Sequence, residues 1–302
     1  MTSKDRIDGF GALCLTGFAL LLAFNQVVIA VTNGGLQPVF FAGLRSLGAT
    51  VLVGTWMLIR GIAPGLSAWR PGLVIGCVFA AEFLCLFIAL DLTTVARSAV
   101  IFYTMPVWMT LGAHVLIPGD RIGPVKALGL LLSVFGVALA LLTRDSDTGS
   151  LAGDLFALGA GMSWAAAGLM CRVTRLRDIR PEAQLFWQVL VSAPILLLVA
   201  PLFGPLIRDL EPIHLAGLAF QIVVVVSAGF IFWLWLLSIY PASGVASFAF
   251  LAPVFGVTLG WLLMGDHVTW ELIASLVCVA GGIVLINRPQ VPQNVRGTTS
   301  SG

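Results

Sequence analysis

Charge is scarce in this chain. Lys and Arg together number 16, Asp and Glu 14, and charged residues make up 10% of 302. A soluble domain carries about 25% charged residues, so an ordinary water-facing surface is excluded. Histidine is scarcer still: His114, His214 and His267 stand far apart. The five cysteines, Cys14, Cys77, Cys85, Cys171 and Cys278, lie singly inside apolar runs. No C-x-x-C or Cys/His spacing is present, so neither a metal centre nor a redox pair is expected. H-E-x-x-H and G-x-S-x-G are absent, which removes the commonest metal and serine chemistries. A phosphate-cradling G-x-x-x-x-G-K-[ST] loop is absent too, since Lys4 precedes Asp5 and Lys126 precedes Ala127. ATP-driven work within this chain is thereby excluded. No cofactor is implied, and the chain is not read as an enzyme.

What is abundant is apolar surface. Hydrophobic residues make up 59% of the chain, and the mean hydropathy is +1.03. Long continuous apolar runs without barrel-like alternation predict an all-α polytopic membrane protein. The runs resolve into ten spans: Phe10 to Val31, Pro38 to Ile59, Gly72 to Leu90, Ser98 to Ile117, Pro124 to Leu142, Asp154 to Val173, Ala183 to Leu202, Leu215 to Tyr240, Gly244 to Met264 and Thr269 to Asn287. The polar stretch Thr143 to Gly153 reads as a linker. The tail after Arg288 is polar and is expected to be disordered.

The chain repeats itself. Laying Pro106 on Pro253 gives an offset of 253 − 106 = 147. Gly119-Asp120 then falls on Gly265-Asp266 with one residue dropped, and Gly136 on Gly282. In each copy a proline-broken helix is followed by Gly-Asp and a second apolar helix. The predicted organisation is residues 1–142 as a first five-helix repeat, 143–153 as an extracytoplasmic linker, 154–287 as a second repeat, and 288–302 as a cytoplasmic tail. Five is odd, so the second copy enters the membrane from the opposite side. Inverted repeats of this kind are a signature of secondary transporters.

Loop charge fixes the orientation. With the N-terminus inside, Lys4, Arg6, Arg60, Arg70, Arg121, Lys126, Arg172, Arg175, Arg177, Arg180, Arg288 and Arg296 fall on the cytoplasmic side. Only Arg97, Arg144 and Arg208 fall outside, and Arg45 lies within a span. This positive-inside bias places both termini in the cytoplasm.

These residues resemble a family. A Pro-Val, short helix, Gly-acid, and a helix ending Gly-x-x-Leu, once per half, resemble the drug/metabolite transporter superfamily in its EamA-type ten-helix branch. Arg45 after Pro38 is similar to that family's second-helix arginine, and Ser163-Trp164-Ala165 to its motif opening the second repeat. Many members carry glutamate where this chain has Asp120 and Asp266. The aromatic-rich helices look like those of bacterial aromatic amino-acid exporters. The resemblance implies a bacterial inner-membrane protein, monomer or weak dimer, with a central cavity lined by spans 1, 3, 4, 6, 8 and 9.

Within that frame Glu82 is the most informative residue, because a charge at a helix centre costs roughly 2.5–3.5 kcal/mol and normally faces a cavity or a partner. Arg45 lies at a similar depth from the same membrane face and is the candidate partner. Either a helix-stapling ion pair or a substrate-binding carboxylate fits this spacing. Tyr103 and Phe102 sit one turn before Pro106, and Trp164 stands among small residues. Phe230, Trp233 and Leu237 share one helical face. Asn25 is polar at depth. These residues, with Glu82, form the expected substrate cavity: Asn25, Glu82, Phe102, Tyr103, Trp164, Phe230 and Trp233. Pro106 and Pro253 are the expected hinges, since proline breaks the helical ladder. Gly17, Gly159, Gly161 and Gly168 are expected to let helices approach closely. His214 and His267 read as loop residues.

The expected activity is export of small organic solutes by alternating access, with apolar or aromatic amino acids as cargo and protons as a candidate coupling ion. Anionic sugar phosphates would want several basic residues at depth, and only Arg45 is there. The alternative is an exporter or importer of other metabolites or drugs on the same fold. An intramembrane enzyme and a structural membrane protein are the rival classes. The first would need a nucleophile, base and oxyanion donors. The second has little use for an intramembrane carboxylate or inverted halves.

Overall fold

The computed structural model describes residues 7–119, 122–143, 149–240 and 248–288. Twelve α-helices account for most of these. They are α1 (Gly9–Asn33), α2 (Pro38–Ile59), α3 (Trp69–Leu92), α4 (Val95–Phe102), α5 (Met105–Leu116), α6 (Pro124–Leu142), α7 (Leu151–Val173), α8 (Pro181–Val199), α9 (Pro212–Phe220), α10 (Gly229–Ile239), α11 (Leu251–Leu259) and α12 (Trp270–Ile286). Strand pairing among the described residues is limited to two isolated bridges. Eight helical stretches are long and apolar enough to cross a membrane, and Leu251–Met264 and Trp270–Ile286 are shorter apolar helices. The protein is an all-helical, polytopic membrane protein.

Local sequence sets the boundaries. Pro38, Pro124, Pro181 and Pro212 open α2, α6, α8 and α9, where a missing N–H costs nothing. Thr94, Ser150 and Thr269 cap α4, α7 and α12 with their hydroxyls, satisfying otherwise orphaned backbone donors. Ser98 to Ile117, expected as one span, is two helices. The chain turns at Tyr103-Thr104, and Thr104 Oγ1 donates back to the Ile101 carbonyl at 2.6 Å. Leu215 to Tyr240 is likewise not uniform. Between α9 and α10 the helix widens to π geometry over Gln221–Ala228. A second π segment, Gly260–Met264, extends α11.

The connections gather at two ends. At one end Leu36 bridges Ile207 and Thr93 bridges Gly149. Arg208 grips Asp91 there, and Asp266 Oδ2 accepts from the Ala96 N–H at 2.8 Å. At the other end Trp187 Nε1 donates to the Pro64 carbonyl at 2.8 Å, and the Tyr240 hydroxyl donates to Asp8 at 2.8 Å.

Helix packing crosses between the halves: α2 lies on α8, α4 on α11, and α6 on α12, while α3 packs on both α7 and α8. The α6–α12 pair explains the matched glycines. A Cβ on Gly282 would stand 2.5 Å from the Gly129 carbonyl, and one on Gly136 would stand 2.9 Å from the Ser275 carbonyl. Ser275 Oγ donates to the Gly136 carbonyl at 2.5 Å. Small residues therefore let the two backbones meet, as in lipid-embedded helix pairs generally. Gly161 and Gly168 also stand at close contacts, with Phe102 and Met109, whereas Gly17 faces open space and joins no helix. His214 is not a loop residue. It is the third residue of α9, buried against Gly35, and its Nδ1 accepts from the Glu211 N–H at 2.9 Å.

Candidate functional site

The break in the fourth span builds the first part of the site. Ending α4 at Phe102 sets two aromatic side chains at the turn. Gly161 of α7 approaches so closely that a Cβ there would lie 2.7 Å from the Phe102 carbonyl. One turn further along α7, Trp164 stacks on Phe102 with centroids 5.1 Å apart and planes 12° from parallel. Tyr103 meets Trp164 edge-on at 6.3 Å and 65°, a geometry aromatic quadrupoles favour. Tyr103 is buried, and its hydroxyl makes no hydrogen bond among the described residues. Trp164 remains half-buried.

Arg45 and Glu82 form the second part. Each is 4% exposed. The two charges lie close enough to interact electrostatically, yet among the described residues Arg45 Nε and Nη1 and Glu82 Oε2 have no hydrogen-bond partner. The guanidinium instead lies over Phe83, its carbon 3.8 Å from the ring centroid, with Phe87 at 5.8 Å. A desolvated cation over an aromatic face gains about 2 kcal/mol, which does not replace the hydrogen bonds that water would give. Phe79, Phe83 and Phe87 recur every four residues along α3 and touch in series at 4.5 and 5.9 Å. The sequence reading passed over them, although their spacing was visible. They belong to one contiguous apolar cluster with Phe102 and Tyr103, against which Trp164 and Phe230 pack.

Other expected cavity residues go elsewhere. Asn25 is buried and accepts from Gln221 Nε2 through its side-chain oxygen. Gln221 opens the π segment, so the pair ties α1 to the widened turn. Phe230 and Trp233 part company within α10. Trp233 stacks on Phe18 of α1 at 5.1 Å and 20°, in a separate cluster with Leu15 and Tyr240. A separation of three residues leaves their directions about 60° apart, enough for different neighbours. The Leu237 side chain lies outside the described positions. Pro106 is the second residue of α5 and Pro253 the third of α11. Both stand in the first turn after a non-helical turn. Asp120 lies outside the described residues. Its counterpart Asp266 accepts the Ala96 N–H, so the Gly-Asp of one half caps the broken helix of the other. Burial, outweighing the two backbone hydrogen bonds, pushes the Asp266 carboxyl above its ordinary value.

One buried ion pair had no signal at all. Arg97, assigned by loop charge to the outer side, is 3% exposed and joins Asp154, which is fully buried, at 2.6 Å. Thr93 Oγ1 donates to the same carboxylate at 2.8 Å, and Arg97 Nη2 also donates to the Ala140 carbonyl. The cluster pins the starts of α4 and α7 to the end of α6.

These features describe a helical membrane protein with a charged, aromatic-lined centre, a fourth span broken into two helices, and a proline in the first turn of α5 and of α11. The EamA-like transporter family matches the chain twice, over residues 9–142 and again over 151–288. The chain belongs to the EamA-like transporter family, and it is a membrane transporter of the drug/metabolite type. It is similar to an uncharacterized transporter of Bacillus subtilis, YoaV, with 22% identity over 90% of this chain and 95% of that one. It is also similar to a probable amino-acid metabolite efflux pump of Escherichia coli, with 26% identity over 93% of this chain and 95% of the relative. A crystal structure superposes with a TM-score of 0.63 at 20% identity, covering 90% of this chain and 95% of its own. That likeness concerns the fold.

Proposed function

We propose that the protein is a secondary carrier of the bacterial inner membrane that exports small organic solutes by alternating access, with apolar or aromatic amino acids as its cargo. Ten spans in two inverted five-helix units carry it. The doubled family match and the crossed pairing of α2 with α8, α4 with α11 and α6 with α12 support this arrangement. The sorting of connections to two ends supports an odd number of spans per unit, and loop charge puts both termini in the cytoplasm.

The single observation behind the substrate class is the unsatisfied pair at the centre. Arg45 Nε and Nη1 and Glu82 Oε2 are buried without hydrogen bonds among the described residues. Leaving charged groups so costs several kcal/mol unless some state of the cycle supplies partners. A zwitterion supplies both, its carboxylate for Arg45 and its ammonium for Glu82. The Phe102–Tyr103–Trp164 cluster and the phenylalanines of α3 give an apolar side chain its wall. The efflux-pump relative agrees in class. The test is counterflow in reconstituted vesicles loaded with phenylalanine or leucine, compared with phosphorylated sugars. Uptake of labelled amino acid supports the proposal. Movement of phosphorylated metabolites without any amino acid overturns it.

A further inference from the structure

At the end of the molecule opposite the Arg208–Asp91 contact, a cavity of 340 Å³ is lined by Ser67, Trp69, Arg70, Pro71 and Arg175. Its walls are two short 3-10 turns, Leu66–Ala68 before α3 and Arg175–Asp178 after α7. The base beneath them is firm. Leu176 is fully buried and packs with Ala68, Ile75 and Trp187. Gln184 Nε2 donates to the Leu176 carbonyl at 2.8 Å. Trp187 Nε1 reaches across to the Pro64 carbonyl, and Thr174 caps the second turn through the Leu176 N–H. Arg70 is thus presented from the first turn of α3 and Arg175 from the second 3-10 turn, both on a fixed base.

The charge there is uncompensated. Asp178 is engaged by Arg177 at 3.4 Å, and Glu182 by Arg180 at 3.3 Å. Neither Arg70 nor Arg175 has a carboxylate partner among the described residues. Arg70 sits 5.3 Å from the Trp69 ring centroid, which steers the guanidinium without neutralising it. Two like charges on one small cavity call for an anion, and guanidinium forks suit phosphate oxygens.

The surroundings say what kind of anion. Leu73 and Val74 are 42% and 53% exposed. They stand three and four residues after Arg70, so they share its helix face. Cys77, also exposed, continues that face, and Leu66 beside the cavity is 68% exposed. A basic cavity therefore opens directly onto a lipid-facing apolar stripe, with a tryptophan at the boundary. We propose that this is a binding site for an anionic phospholipid, with the phosphodiester between Arg70 and Arg175 and an acyl chain along Leu73, Val74 and Cys77. Basic pockets on the cytoplasmic side of helix bundles recognise anionic headgroups in this way, and the proposed orientation puts the cavity on that side.

The experiment is native mass spectrometry and thermal unfolding of the whole protein, doped with phosphatidylglycerol, phosphatidylcholine or inorganic phosphate. Phosphatidylglycerol should be retained and should raise the unfolding midpoint, with phosphatidylcholine and inorganic phosphate doing neither. R70Q/R175Q should lower phosphatidylglycerol retention by about tenfold, as loss of charge-assisted hydrogen bonds requires. R60Q, which changes a charge at the same end but outside the cavity, should leave it unchanged. Equal retention by parent and R70Q/R175Q overturns the proposal. So does an equal midpoint rise with inorganic phosphate, which would assign the cavity to a soluble anion. The readout needs no transport, so it stands or falls apart from the amino-acid reading.

Discussion

Arg97 and Asp154 meet at 2.6 Å with both side chains almost wholly buried. The contact joins the first residues of the broken fourth span to the first turn of α7, the helix that carries Gly161 and Trp164. Position of the aromatic cluster therefore depends on a charge pair about two turns away from it.

Removing one partner leaves the other charge uncompensated in the interior. Such losses cost about 3–5 kcal/mol, whereas replacing both partners by apolar residues is often neutral. Arg97→Met and Asp154→Leu singly should each lower the unfolding midpoint strongly, and the double variant should recover much of the loss. Thermal unfolding in detergent checks this. Additive losses in the double variant would show that the ion pair is not the coupled unit.

Asp266 gives a pH dependence. Its carboxyl binds a proton more tightly in the folded protein than the ordinary value of 3.8. Between that value and the raised folded value the folded state holds more protons, so stability falls as pH rises through this window. Acidification from about pH 7 toward about pH 4 should therefore raise the midpoint of the parent relative to Asp266→Asn, and below both values the difference should level off. If the parent instead loses ground to the variant on acidification, the N–H bonds from α4 outweigh burial.

The segment 204–211 clasps the α1–α2 turn. The Gln37 N–H donates to the Leu206 carbonyl at 3.0 Å, and the Arg208 N–H to that of Gly35 at 3.0 Å. Arg208 adds two bonds to Asp91, at 2.6 and 2.9 Å, and one to the Asn33 carbonyl at 3.0 Å. The Arg208 and Asp91 side chains are 34% and 22% exposed, so solvent screening limits the pair to about 1 kcal/mol, or at most about fivefold in population. A side-chain contact that weak suits an element that opens in the proposed transport cycle. Spin labels at Asp209 and Leu92 should report one short distance in the parent and a partial shift to longer ones in Arg208→Gln. An unchanged distribution would remove the clasp from the transport cycle.

Much of the fold was legible because lipid imposes one rule, that every backbone group be paired within the span. Apolar run length and proline or Gly-Asp punctuation therefore marked most boundaries. The matched Gly136 and Gly282 were readable as a repeat, but their packing against α12 and α6 needed the structure. The burial of Arg97 was not legible because its partner Asp154 lies 57 residues away, and local sequence shows no sign of it. The π turn at Gln221 was invisible for a similar reason: it changes hydrogen-bond register without a special residue. Phe102, Tyr103 and Trp164 were readable as a group only through the family-like layout, while the split of Phe230 from Trp233 depends on which helix lies alongside.

Glu82, Arg45 and Trp164 carry the final prediction. If the pair receives a zwitterion, Glu82→Gln weakens substrate binding at every pH, because the ammonium loses its counter-charge. If Glu82 instead exchanges a proton, the same variant keeps binding and loses the pH dependence of flux. Counterflow separates these, since it needs binding and gating but no net proton movement. Trp164→Ala probes the wall. A contact of its ring with an aromatic cargo would contribute about 0.5–1.5 kcal/mol, so flux of an aromatic amino acid should fall by about two- to tenfold with folded yield retained. A tryptophan used purely for packing behaves otherwise, with a loss of about 3–5 kcal/mol and poor yield. Its half-buried position and the unbonded Tyr103 hydroxyl beside it favour the first outcome. Tyr103→Phe removes only that hydroxyl, and it should raise the half-saturating substrate concentration without changing the unfolding midpoint. Should Glu82→Gln, Tyr103→Phe and Trp164→Ala all transport like the parent at equal protein level, the site lies elsewhere in the bundle and the unsatisfied pair belongs to the conformational cycle alone.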